Sequence, residues 1–137
     1  MSLFKVFDVA GSALSAQSIR LNVISSNLAN ADVAAGSPDQ VYKARHPVFA
    51  TVYDDVRGEG QSGGVAVAGI VESDAPVRSE YAPQHPMADD KGYIYKPNVN
   101  SIEEMTNMIS ASRSYQSNVE VFNTAKQLLL GILRLGE

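Results

Sequence analysis

The groups in this chain that could do chemistry are two histidines, two pairs of adjacent aspartates, many serines and a glycine cluster. His46 and His85, each followed by proline, could ligate a metal together with Asp54 or Asp89. Neither a His-Glu-x-x-His run nor a close His-x-His spacing supports that chemistry. Asp54-Asp55 and Asp89-Asp90 could serve as acid–base carboxylates, but adjacent residues point in different directions, and solvated turn residues are the simpler account. A small hydrolase drawing on His85, Asp89 and Asp90 would have to overcome that geometry. No serine sits in a G-x-S-x-G elbow. The glycines from Gly58 to Gly64 lack the Lys-Ser/Thr of a phosphate loop. Met105, Met108 and Tyr115 stand at helical spacing, which is core rather than a cofactor box. Cysteine is absent, removing thiolate catalysis, disulfides and Cys-based zinc. The expectation is no enzyme, no metal, no cofactor and no small-molecule substrate.

Bulk properties narrow the partners. At 137 residues the chain is at most one ordinary domain by length. A net charge of −4 argues against nucleic acid, because phosphate contact needs a basic patch. The opening MSLFKVFDVAGS is interrupted by Asp8 and Ser12, so a cleaved secretory signal is not expected. The apolar run around Leu128 to Leu133 is far too short to span a bilayer.

All six prolines and seven of the ten glycines fall between Gly36 and Pro97, which leaves two proline-free ends compatible with long helices. Each end carries a seven-residue apolar beat: Phe7, Leu14, Leu21 and Leu28 near the start, Met108, Tyr115, Phe122 and Leu129 near the finish. Seven residues make almost two α-turns, so each set lines one seam that needs a partner helix. The first helix is expected from a Ser2 cap to about Asn30. Gly11, Ser18 and Ser25 form a small-residue column that would admit a second helix closely. The second helix is expected to start at Ser101-Ile102-Glu103-Glu104, which fits a capping box, and to stop near Gly136. Its seam reads Met105, Met108, Ala111, Tyr115, Val119, Phe122, Ala125, Leu129 and Ile132.

The stretch between them reads as a loop over 32 to 40, a strand around Pro47, a turn at Gly58 to Gly64, and a second strand in GVAVAGIVES. A short piece from Val77 to Tyr81 and an extended region to Asn100 with room for a hairpin follow. The expected fold is mainly α with a small β-rich insert, the terminal helices pairing as an antiparallel coiled coil. Residues 1–31 and 98–137 would form a discontinuous coiled-coil core, and 32–97 a Pro/Gly-rich β/loop insert.

What the helices lack is as telling as their seams. Between Val9 and Ala31 the only charged residue is Arg20; between Met105 and Leu133 there are only Arg113, Glu120 and Lys126. Interface cores are depleted of charge in this way, and one helix pair cannot cover all of these faces. Association with further helix pairs follows, and head-to-tail contacts that do not close build a filament. Arg113 could pair with an acidic residue on the surface or across subunits.

Ser18 to Ala31 (SIRLNVISSNLANA) resembles the N-terminal signature of the bacterial flagellar rod and hook proteins. The stretch from Pro97 to Glu137, the block GVAVAGIVESDAPVRSEYAPQHPMADDKGYIYKPNVN and the segment YKARHPVFATV resemble the proximal-rod proteins of that family. The resemblance runs over essentially the whole chain. It implies a structural subunit of the periplasm-spanning basal-body rod, a hollow shaft that transmits torque from motor to hook and lets exported subunits pass. It also implies polymerisation with other flagellar rod proteins and further copies of itself, and passage through the flagellar type III export apparatus without a cleaved signal peptide. The assembly signature would be Asn22, Ser26, Asn27, Leu28, Ala29 and Asn30; its asparagines either end the helix locally or also bond to a neighbouring subunit. The helix seams Phe7, Leu14, Leu21, Met108, Tyr115, Val119, Phe122 and Leu129 would serve the same assembly. The alternative is a membrane-active type III translocator-like helical protein, against which stands the scarcity of lysine and arginine on the helices. No stable membrane insertion is expected.

Overall fold

The computed structural model describes residues 3–53 and 63–136. The expected Ser2 cap, Asp54-Asp55 and most of the Gly58 to Gly64 turn lie outside them. In chain order the elements are α1 (Leu3–Ala29), β1 (Arg45–Tyr53), β2 (Gly63–Glu72), β3 (Arg78–Tyr81), β4 (Tyr93–Lys96) and α2 (Ser101–Leu135). β1 pairs with β2 in one two-stranded sheet and β3 with β4 in another. The expected architecture is met: two long helices packed together, with short strands between them in sequence.

Packing divides the chain into two units, each drawing on both helices. The first comprises Met1–Leu21, Pro47–Gly69 and Ile109–Glu137. In it the ring of Phe7 meets that of Phe122 edge-on, centroids 4.9 Å apart. Ser12 Oγ donates to Val9 O at 2.8 Å and accepts the amide of Val65 at 3.1 Å, which ties α1 to β2. The second unit comprises Asn22–His46 and Ile70–Met108. It holds a small apolar cluster of Ala31, Ala44 and Val99, with Tyr42 packed against it. Each unit brings the two helices together, through Phe7 and Phe122 in the first and Asn27 and Glu104 in the second.

Three local expectations are corrected. The cap of α2 is Asn100, not Ser101: Asn100 Oδ1 accepts the amides of Ile102 (3.1 Å) and Glu103 (3.3 Å), the ordinary N-cap pattern. The seam of α2 turns toward Glu104, Met108, Ala111, Phe122, Ala125 and Leu129, while Met105 (56% exposed) and Ile132 (60%) lie outside it. Choosing positions by apolarity passes over Glu104, which is buried for a polar reason given below. The column Gly11, Ser18 and Ser25 does not meet α2 closely. Ser18 and Ser25 are exposed, and a Cβ on Gly11 would meet nothing within 4 Å. α1 turns the more apolar arc of Ala10, Val23 and Ile24 inward instead.

Two glycines should respond oppositely to alanine. Gly11→Ala adds a methyl into open space on a helix and should stabilise the monomer by about 0.5–1 kcal/mol. Gly92 has φ +82° and its Cβ would lie 2.9 Å from a ring carbon of Tyr81, so Gly92→Ala should cost at least about 1 kcal/mol. Urea unfolding of the two variants checks both signs.

Candidate functional site

The part of the signature stretch that the fold uses most heavily is one side chain. Asn27 lies two residues before the end of α1 and has no solvent exposure. Its Nδ2 donates to Arg45 O at 2.8 Å and to Glu104 Oε2 at 3.1 Å. Its Oδ1 accepts the Tyr42 hydroxyl at 2.8 Å and the Arg45 amide at 3.0 Å. A primary amide has two donors and two lone pairs, and here all four are engaged. Pairing with both N–H and C=O of one residue is what a neighbouring strand would offer, so Asn27 acts as a partner for the first residue of β1.

The surrounding groups hold this arrangement. Tyr42 Oη also lies 3.3 Å from Ser26 Oγ, and the Arg45 guanidinium sits 5.5 Å from the centre of the Tyr42 ring. Arg45 reaches Glu72 at 3.6 Å on an exposed surface, a contact of small energetic weight. Glu104 is 4% exposed: the carboxylate that a capping box would have turned back to the helix start is instead held by Asn27.

A second asparagine does similar work. Asn98 Oδ1 accepts the Ala44 amide at 2.7 Å, and its Nδ2 donates to Ala75 O at 2.8 Å and Ser73 O at 3.3 Å. Arg78 donates from Nε to Pro97 O at 3.2 Å and from Nη2 to Ala31 O at 3.4 Å. Sequence reasoning missed Tyr42, Asn98 and Asn100 in these roles. The signal available for the last two was the Pro-Asn-Val-Asn run just before a helix.

Of the carboxylates and histidines that could serve chemistry, Asp89 and His85 make hydrogen bonds to nearby backbone amides. Asp89 Oδ1 accepts the amides of Lys91 (2.9 Å) and Tyr93 (2.8 Å), and its Oδ2 accepts the Tyr95 hydroxyl at 3.1 Å. These bonds, led by that from Tyr93, hold the Asp89 carboxyl below the usual aspartate range, and the bond to Asp89 pushes the Tyr95 phenol up. Across the same hairpin Lys96 and Glu80 pair at 2.6 Å, which lowers Glu80. His85 Nδ1 accepts the Met87 amide. Among the described residues no cluster of three or more His, Asp or Glu could hold a metal ion.

The remaining signature residues are placed as follows. Asn22 and Ala29 are exposed, Ser26 and Leu28 half-buried, and Asn30, just past the end of α1, donates to Ser26 O at 2.8 Å. Of the seam residues, Phe7 and Phe122 touch; Leu14, Leu21, Met108, Val119 and Leu129 are half-buried; Tyr115 is 37% exposed, at the border of the contact. Beyond these, α2 leaves Ile102, Met105, Ile109, Val121 and Leu128 in solvent. Such residues fit a helix that meets other protein on more than one side.

Comparison with known proteins agrees with this picture. Residues 7–35 match the family described as flagella basal body rod protein, and residues 90–135 match the flagellar basal body rod FlgEFG protein C-terminal family. The chain is 51% identical over 137 residues to the flagellar basal-body rod protein FlgC of Salmonella typhimurium, covering 100% of both chains. It is 53% identical over 137 residues to the FlgC of Yersinia enterocolitica, again covering 100% of both. The FlgC of Borreliella burgdorferi is 36% identical over 149 residues, covering 98% of each.

Asn27→Ala should destabilise the monomer by at least about 3 kcal/mol, because it strands several buried polar groups together. Asn27→Asp should also be costly, since two donors become lone pairs facing a carbonyl and Glu104. Adding Glu104→Gln to it should recover part of the loss, and urea titrations of the single and double variants measure the coupling. The Asp89 turn has its own pH signature. A carboxyl whose folded value is depressed stabilises fully above its unfolded value, about 3.9, and that stability is lost as pH falls through the lower folded value. Amide chemical shifts of the β3–β4 hairpin should therefore hold through pH 4 and change only below it. In Asp89→Asn the acid transition of the Lys91 and Tyr93 amides should disappear, leaving that of Glu80 elsewhere in the hairpin.

Proposed function

The chain belongs to the flagellar basal-body rod protein family, and from that premise we propose how its parts divide the work of assembly. It is a structural subunit of the bacterial basal-body rod, located in the flagellar basal body and assembling with other axial proteins. Residues 1–31 and 98–137 act as the axial core that polymerises, and 32–97 as the insert that the Asn27 and Asn98 networks anchor to it. The subunits interlock with neighbouring rod proteins and further copies of this chain in a hollow shaft that spans the periplasm. The shaft carries torque to the hook and lets exported subunits pass. Delivery is through the flagellar type III export apparatus, and the chain performs no catalysis.

The observation that carries this reading is the end-to-end match to rod proteins of three genera, joined to helices whose outward faces are apolar and poor in charge. The signature asparagines then have separate parts. Asn27 is occupied inside the chain, whereas Asn22 is exposed, where a neighbour can meet it. Sliding one helix along another in such a polymer would expose many side chains at once, which is how it resists twist. The membrane-active alternative has no support from the relatives, and no described helix is long and apolar enough to cross a membrane.

Deletion of residues 101–137 in a motile bacterium with no other copy should leave a protein that is made but builds no shaft. Electron microscopy of isolated basal bodies and a swimming assay read the outcome. Normal rods in the deletion strain would refute the proposal.

A further inference from the structure

The β3–β4 sheet of the second unit is open along one side. β4 is engaged on both edges. Toward β3 its Ile94 faces Glu80, and on the far edge Tyr95 exchanges both backbone bonds with Ala35, at 2.9 and 3.0 Å. β3 is engaged on one edge alone. Hydrogen-bonded pairs alternate along an antiparallel ladder. The Ala82 amide donates to Gly92 O at 2.9 Å, so Ala82, Glu80 and Arg78 are the positions bonded across to β4. The N–H and C=O groups of Ser79 and Tyr81 therefore point away from β4, and among the described residues nothing bonds to them. All of β3 is exposed.

Proteins commonly blunt such an edge with lysine, an internal proline or a bulge. β3 reads Arg-Ser-Glu-Tyr in unbroken register and has none of these. Its shortness, bracketed by Pro76 and Pro83, guards against open-ended stacking. An added strand must then be recognised by side chains as well as by backbone. On one face Tyr81 meets Tyr93 edge-on, centroids 5.3 Å apart, with Tyr81 65% exposed. On the other face Arg78 and Glu80 alternate in sign. Glu80 pairs with Lys96 through Oε2, which leaves Oε1, and Arg78 bonds inward through Nε and Nη2, which leaves Nη1.

We infer that the free edge of β3 takes up an extended segment of another basal-body protein as an antiparallel third strand. The segment places an apolar residue beside Tyr81, a basic one beside Glu80 and an acidic one beside Arg78. Opposite charges, and apolar groups against aromatic ones, are the favourable pairs directly across a ladder. Backbone bonds from Ser79 and Tyr81 supply the attachment, and these side chains the selection. A second copy of this chain is a poorer occupant, although its own Val77-Arg78-Ser79-Glu80 has the required pattern. Two β3 strands would pair about a two-fold axis, which closes the contact, and a shaft built of head-to-tail subunits has no place for that axis.

This inference rests on the rod-subunit reading, and its test separates the two. Hydrogen exchange is compared between the free native chain and the same chain in isolated basal bodies. On incorporation the Ser79 and Tyr81 amides should slow at least tenfold, while those of Arg78 and Glu80, already bonded to β4, should change little. No slowing at Ser79 and Tyr81, or equal slowing at all four, overturns the inference and leaves the rod reading standing. Absence of the native chain from basal bodies sinks the rod reading itself. Ser79→Pro deletes one outward N–H and spares the ladder to β4. The free variant should keep its Glu80 and Ile94 amides protected, yet its content in basal bodies should fall at least tenfold; incorporation at the native level overturns the inference. Should the variant lose that protection, exchange in the native chain decides. Glu80→Gln should lower the content about threefold, the weight of one cross-strand charge pair; an unchanged content overturns the basic residue assigned beside it. The chain has no cysteine, so Ser79→Cys reports cleanly on self-pairing. In the two-fold arrangement that residue faces its own counterpart, and a disulfide-linked dimer in oxidised basal bodies would overturn the inference in favour of a second copy.

Discussion

A buried amide must have all its hydrogen-bonding groups met within the protein, and in this chain that constraint decides how four segments come together. Asn27 satisfies it with the backbone of Arg45, the hydroxyl of Tyr42 and the carboxylate of Glu104. Remove the amide and α1 has no specific polar reason to meet the start of β1 or the first turns of α2. The nearby apolar cluster is too modest to replace it: Ala31, Ala44 and Val99 are small side chains with little surface to bury. Polar networks of this kind matter most where hydrophobic area is scarce, because an unpaired group there has no compensating gain.

Much of the fold was legible from the chain. Proline distribution bracketed the helices, cap and stop residues brought their ends to within a residue or two of Leu3–Ala29 and Ser101–Leu135, and β-branched composition located β1 and β2. What could not be read was anything that depended on partners far away in sequence. Asn27 was recognisable as part of a family signature, but its partners lie 15, 18 and 77 residues on, and no local pattern announces them. The cap of α2 shows the same limit in miniature. Asn100 to Glu103 and Ser101 to Glu104 are overlapping capping boxes of nearly equal merit. Asn100 is the residue that caps, and the glutamate of the second box is bonded to Asn27 instead.

The apolar faces show a different limit. Heptad counting picks out Phe7 and Phe122, which touch, but it cannot tell a seam facing its own partner from a stripe meant for another molecule. Both are apolar and both recur at helical spacing. Only the packed structure separates Ala111 and Ala125, buried inside, from Met105, Ile109 and Ile132, left outside. In an assembling protein that distinction is the function, since what the subunit leaves uncovered is what its neighbours have to cover.

Why the hub is an asparagine, where a leucine would bury more apolar surface, follows from register. An apolar side chain at the end of α1 would pack nearly as well against α2 shifted by a turn, because methyl groups have no directional demand. An amide does not tolerate the shift: one turn of slip would carry its donors away from Arg45 O and Glu104 and leave several buried groups unmet at once. Polar residues in helix pairs commonly exchange some stability for a single alignment in this way. For a subunit of a load-bearing shaft the alignment is the more valuable property. The spacing of outward-facing side chains along α1 and α2 must repeat from copy to copy, and it can do so only if the two helices never slide.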